Sequence, residues 1–123
     1  THHIHPRRMQ RHDWHGMYVV CQSLDNQIVV YQAGDRFTLQ RKKKFMGHQV
    51  AGYACDVACS PDGQFVVSGD GDGKVNFWDW RRHKMLQKYR GHDNGPSIGC
   101  VWHPTEPSTV LTCGWDGVIK MWQ

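Results

Sequence analysis

The 123-residue sequence has no run of about 18 apolar residues, which excludes a transmembrane helix. No apolar stretch follows its start, Thr1-His2-His3-Ile4-His5, so no signal peptide is expected. It also lacks an initial Met, and a chain that begins inside a longer protein is expected. There is no CxxC pair. Cys21, Cys55, Cys59, Cys100 and Cys113 make an odd count, and Cys55 and Cys59 stand on one expected strand, roughly 13 Å apart at strand rise, too far to bridge. Reduced thiols serving as small core hydrophobes fit this pattern and an intracellular compartment. Apolar residues never recur at helical spacing with capping signals, so no helix of note is expected. No cluster of acids or metal ligands is visible, so no catalytic residue, metal or cofactor is assigned. His2, His3, His5, His12 and His15 lack the ligand spacing of a zinc site and read as a surface segment.

What the sequence does have is thirteen Gly and six Trp. Such residues at regular intervals point to short strands joined by tight turns. The net charge of +4 allows an acidic or nucleic-acid partner without demanding one. The intervals are regular: Gly47-His48 recurs as Gly91-His92, Asp72-Gly73 as Asp116-Gly117, and Trp78 as Trp122, each 44 residues on. A weaker copy lies upstream, where Asp25-Asn26 and Tyr31 precede Asp72-Gly73 and Trp78 by 47 residues. The first connection therefore holds about three extra residues.

The middle unit reads as four strands. Tyr53-Ala54-Cys55-Asp56-Val57-Ala58-Cys59 alternates large and small residues, and Ser60-Pro61-Asp62-Gly63 is a turn in which Pro presets φ and Gly accepts a positive one. Phe65-Val66-Val67-Ser68 is the second strand and Asp70-Gly71-Asp72-Gly73 the next turn. Lys74-Val75-Asn76-Phe77-Trp78 is the third strand, with Val75 and Phe77 on one face and Asn76 and Trp78 on the other. After a turn at Arg81-Arg82-His83-Lys84, Met85-Leu86-Gln87-Lys88-Tyr89-Arg90 forms the outer strand.

Gly-His near the start of a unit, an Asp before the third strand and Trp-Asp at its end resemble WD40 repeats. The resemblance implies an all-β fold, a WD40 β-propeller, of which this chain holds about three C-terminal blades of a seven-bladed ring: residues 1–46, 47–90 and 91–123, approximately. The rest of the same propeller would close the ring, and Trp122 would end the third strand of the last blade. The family's hydrogen-bonded chains would be His48, Ser68, Asp72 and Trp78 in the second unit, and His92, Thr112, Asp116 and Trp122 in the third. In the first unit Cys21 and Tyr31 replace the hydroxyl residue and the Trp, so no such chain is expected there. The His, Asp and Ser or Thr superficially match a catalytic triad, but their repetition points to a scaffold.

Within the family the sequence resembles the splicing-factor members. The residues that carry this are Cys21-Gln22-Ser23-Leu24-Asp25-Asn26-Gln27-Ile28, Gly47-His48-Gln49-Val50-Ala51-Gly52-Tyr53-Ala54-Cys55, Trp78-Asp79-Trp80, Val101-Trp102-His103-Pro104 and Thr112-Cys113-Gly114-Trp115-Asp116-Gly117. The resemblance implies a nuclear, non-catalytic subunit of the spliceosome, acting around the second catalytic step and holding spliceosomal proteins. RNA contact through a basic surface is a further implication, and no membrane partner is implied. Trp78-Asp79-Trp80-Arg81 also fits the short WDxR pattern of substrate receptors in cullin ubiquitin ligases, which is the alternative function. Two surface features bear on partners. Arg41-Lys42-Lys43-Lys44 lies on or near an outer strand, where it contacts RNA phosphate or acidic protein, or else deters edge pairing. Trp115, in a turn, is either an exposed binding anchor or a packing residue between blades. Trp102, on a strand, reads as packing between blades.

Overall fold

The computed structural model describes residues 4–8, 18–33 and 36–123. Among them are eleven strands and no helix. Strands β1 (Ile4–Arg8), β2 (Tyr18–Ser23), β3 (Gln27–Gln32) and β4 (Thr38–Phe45) form one sheet in sequence order. A second sheet holds β5 (Val57–Cys59), β6 (Phe65–Gly69), β7 (Lys74–Asp79) and β8 (Lys84–Arg90), again in order. The third has three strands, β9 (Ser97–Trp102), β10 (Val110–Gly114) and β11 (Ile119–Trp122). Every neighbouring pair is antiparallel. Three consecutive up-and-down sheets of this kind are the blades of a β-propeller.

Two apolar layers join the sheets. Val20, Ile28, Val30 and Phe45 of the first sheet pack on Val57, Val66 and Trp78 of the second, with Trp80 closing the layer. Val67 and Val75 turn the other way and meet Cys100, Trp102 and Val110 of the third sheet. Period-two alternation along β6 and β7 supplies both layers from the same strands, because successive side chains leave opposite faces. Trp78 is fully buried in the first layer, while the half-buried Phe77 packs on the second.

The turns follow from their residues. Ser60 Oγ donates to Asp62 Oδ1 and accepts from the amides of Gln64 and Phe65, which locks the β5–β6 turn. Gly63, at φ 73°, completes it. Gly73 has φ 83° and lies against the next blade, where a Cβ would run into the carbonyl of His92. The amide of His92 donates to Gly73 O at 2.7 Å, so that close approach is part of the joint.

The strand expected at residues 53–59 shortens to β5, Val57–Cys59. Upstream of it the backbone makes local turns, with Tyr53 N donating to Val50 O and Cys55 N to Tyr53 O. The amide of Asp56 then crosses to Ile98 O of the third sheet at 2.8 Å. The alternation of that stretch is real, but its backbone serves the seam and not the ladder.

The three extra residues of the first connection also find a place. Val29 pairs with Lys44 and Tyr31 with Leu39, so two steps along β3 span five along β4. The surplus bulges from the outer strand at residues 40–43. A bulge of this size interrupts the ladder and re-aims its side chains.

Candidate functional site

The third unit assembles its polar chain in full. Asp116 accepts from His92 Nδ1 at 3.1 Å, from the amide of Asp93 and from the amide of Val118. A carboxylate partner at Nδ1 requires the proton there, which leaves His92 Nε2 to accept from the Thr112 hydroxyl at 2.9 Å. Trp122 Nε1 donates to the same Thr112 oxygen, also at 2.9 Å. Desolvation works to raise the pKa of Asp116, but the hydrogen bonds from Val118, His92 and Asp93 outweigh it and hold the carboxyl below its ordinary range. His92 and Thr112 are buried at 1% and 2% exposure. The hydroxyl thus lies inside the blade with an indole N–H on its oxygen, out of reach of a substrate.

The second unit departs from the expected chain. His48 Nε2 meets Gln22 Oε1 at 2.7 Å, and Gln22 Nε2 donates to Ser68 Oγ at 2.6 Å and to Cys55 O. The Ser68 hydroxyl in turn donates a hydrogen bond to Gly69 O. Trp78 Nε1 donates to Met46 O at 2.9 Å, while its ring stands edge-on to His48. Asp72 is exposed and takes no part. The expectation of a chain through Asp72 is corrected here, and two causes are visible. Gln22 arrives from the neighbouring sheet and takes the place beside His48. Asp70, at 1% exposure, draws the turn around its own carboxylate by accepting from the amides of Asp72 and Lys74 and from Asn76 Nδ2. Lys88 Nζ lies 3.8 Å from Asp70. His48 Nδ1 has no hydrogen-bond partner among the described residues. Burial pushes the His48 pKa down to about 4, against a rise from Asp70, with Lys88 adding to the fall.

Gln22 is the residue that sequence reasoning missed. It sits 26 positions from His48 and 46 from Ser68, outside the repeat landmarks. Its signal was a polar side chain inside β2, between Cys21 and Ser23, both of which are buried.

The basic run divides. Arg41, Lys42 and Lys44 are exposed on β4. Lys43 turns inward, donates to Trp80 O at 3.1 Å, lies 3.2 Å from His83 Nε2 and stands 4.4 Å above the Trp80 ring. Desolvation lowers its pKa, partly countered by Asp79. Arg41, Lys42 and Lys44, with no ion pair among the described residues, mark the bulge and its flank.

Trp102 packs between blades, stacked on Phe65 and edge-on to Phe77. Trp115 is 63% exposed on the β10–β11 turn. It is held edge-on to Tyr53, in the turns that lead into β5, with ring centroids 5.0 Å apart, and backed by Gly95, where an added Cβ would come within 3.1 Å of the Trp115 Cβ. Of the five cysteines, none in a disulfide, Cys21, Cys55 and Cys100 are buried, Cys59 is half-buried and Cys113 is exposed, so Cys113 departs from the expected core role. Burial, then Asp70 and Asp56, raise the Cys55 pKa to about 12. Among the described residues no group of His, Cys, Asp and Glu is placed to hold a metal ion. The His-rich start lies outside the described side chains.

Comparisons with known proteins bear on this geometry. The profile described as "WD domain, G-beta repeat" matches residues 39–79 and 83–123. The first match begins in β4 and ends with β7; the second begins one residue before β8 and ends one residue after β11. Over 107 residues the chain is 55% identical to human pre-mRNA-processing factor 17, covering 87% of this chain and 18% of that protein. It is 35% identical to the Saccharomyces cerevisiae pre-mRNA-processing factor 17, covering 83% of this chain and 22% of that one. Mouse WD repeat-containing protein 25 is 32% identical over 84% of this chain and 19% of its own length. The chain spans about a fifth of the length of these relatives.

Proposed function

The chain belongs to the WD40-repeat family, and from that premise we propose that it is part of a non-catalytic scaffold of the spliceosome, acting in the nucleus around the second catalytic step of splicing. Its similarity to pre-mRNA-processing factor 17 supports the splicing assignment. The observation that carries the scaffold reading is the His92–Asp116–Thr112 set. It has the order of an acyl-transfer triad, yet Thr112 is buried and its oxygen already holds Trp122 Nε1. The nearest thing to catalytic machinery is used to fix a blade.

A scaffold needs surfaces, and two are available. Trp115 is a fixed, exposed aromatic anchor for spliceosomal proteins, of the residue type that dominates interface energies. Arg41, Lys42 and Lys44 offer charge to acidic protein or RNA. The remaining blades of the same propeller cover the outer face of the third sheet, where Val101, Leu111, Ile119 and Met121 are exposed together.

Affinity purification of the full-length protein from nuclear extract tests this. Spliceosomal proteins with small nuclear RNA are the expected companions. Recovery of cullin-linker proteins without them would replace the reading with the ubiquitin-ligase alternative that Trp78-Asp79-Trp80-Arg81 allows.

A further inference from the structure

We propose that the cleft at the seam of the first and second sheets docks the phosphate backbone of single-stranded RNA, an inference that rests on the spliceosomal reading above. The cleft measures about 640 Å³ and lies between the bulged strand β4 and the turns β5–β6 and β7–β8. Lys43, Arg81 and Arg82 line it, with Trp80 beneath.

Its charges are arranged for an anion. The two carboxylates at the rim are occupied by their own turns. Asp62 Oδ1 accepts from Ser60 Oγ and the Gln64 amide. Asp79 Oδ1 accepts from the amides of Arg81 and Arg82 at 2.9 and 3.1 Å. Neither lies within ion-pair distance of Lys43, Arg81 or Arg82 among the described residues, although the charge of Asp79 still favours the protonated Lys43. Asp79 therefore fixes the backbone of both arginines while leaving their guanidinium forks to a ligand, and such forks match phosphate oxygens two at a time. Lys43 is held in place by Trp80 O and the Trp80 ring, so its ordering is complete before anything binds.

The bulge decides between ligand classes. Arg41, Lys42 and Lys44 continue the positive charge from the cleft along β4. An extended peptide would bind such an outer strand by adding to its ladder. The bulge breaks the regular edge at residues 40–43, where the cations stand. A phosphate backbone needs no ladder and responds to a row of charges. The surplus of three residues thus removes an edge for peptides and creates a track for a polyanion.

The test uses the full-length protein and a labelled uridine-rich single strand of about 20 nucleotides. Arg81→Glu/Arg82→Glu is expected to weaken binding at least tenfold and to flatten the log–log salt dependence by about 1.4, the slope for two phosphate contacts on a single strand. The milder Arg81→Gln/Arg82→Gln should show the same direction if charge reversal disturbs folding. Lys120→Glu, an exposed cation on the third sheet, should change neither quantity. Unchanged affinity and slope in both arginine doubles would overturn the proposal. So would loss of a copurifying protein from the glutamate double while its RNA affinity stays at the wild-type value, which would make the cleft an acidic-protein dock. If the wild-type protein recovers no spliceosomal component yet binds the strand through Arg81 and Arg82, the site stands and the spliceosomal reading fails.

Discussion

At the scale of single residues, the two polar chains behave differently under substitution. Trp78 is fully buried between two sheets, and Trp78→Ala should cost about 3–5 kcal/mol in the folded full-length protein. Gln22→Ala should cost about 1–3 kcal/mol, because His48 Nε2 and Ser68 Oγ both lose a buried partner. Asp72→Ala should stay within about 0.5 kcal/mol, since Asp72 is exposed and bonds only through its amide. Chemical denaturation of the three variants checks the order. A large cost at Asp72 with none at Gln22 would restore the chain read from the sequence. His48 adds a pH dependence. Its folded pKa of about 4 lies below the ordinary 6.5, so between those values the unfolded chain binds a proton that the folded chain refuses. Stability is complete above about pH 6.5 and falls as the pH drops toward 4, by about 3 kcal/mol across the window. Denaturation at pH 7 and 4.5 should show a steeper loss in the wild type than in His48→Gln. Equal losses would contradict the buried, neutral imidazole. The third-unit chain was legible in the sequence because all four members fall within one repeat. The second-unit chain was not, because a residue from another sheet displaced one of its own.

Among the elements, β4 carries the clearest difference between repeats. The 47-residue offset showed that the first connection was longer, but the place of the surplus depends on which register lets Phe45 reach the buried layer. Phe45 pairs with Ile28 and is fully buried, which fixes one end of β4, while Leu39 opposite Tyr31 fixes the other. The excess has to leave the ladder between them. Hydrogen exchange should therefore find amides of residues 40–43 fast compared with the paired stretches on either side. Uniform protection along β4 would mean a continuous ladder and no bulge. The stretch that leads into β5 shows the same thing. Alternation at residues 53–59 was read as one strand, but only Val57–Cys59 joins the ladder, the amide of Asp56 bonds to Ile98, and periodicity says nothing about the destination of an amide.

Taken whole, the chain is a stack of three blades with two apolar layers between them and an apolar face left over. The register sets Val101, Leu111 and Met121 in one row across the third sheet, all at 45% exposure or more. Three repeats, their order and their period were legible because each is a local unit. The seams were not, since they are built from contacts between units: Gln22 with His48, Asp56 with Ile98, Tyr53 with Trp115. The apolar row predicts that the isolated 123-residue chain binds a hydrophobic dye and self-associates, whereas the full-length protein does neither. A monomeric, dye-silent isolated chain would show that this face needs no further blades.

As proposed above, these blades serve splicing as a scaffold near its second step. The most direct measurement follows a labelled pre-mRNA in nuclear extract depleted of the full-length protein and then resupplied with it. The free 5′ exon and the lariat intermediate should accumulate on depletion, and resupply should restore ligated exons. Ligated exons at the undepleted level, with no build-up of either intermediate, would contradict it.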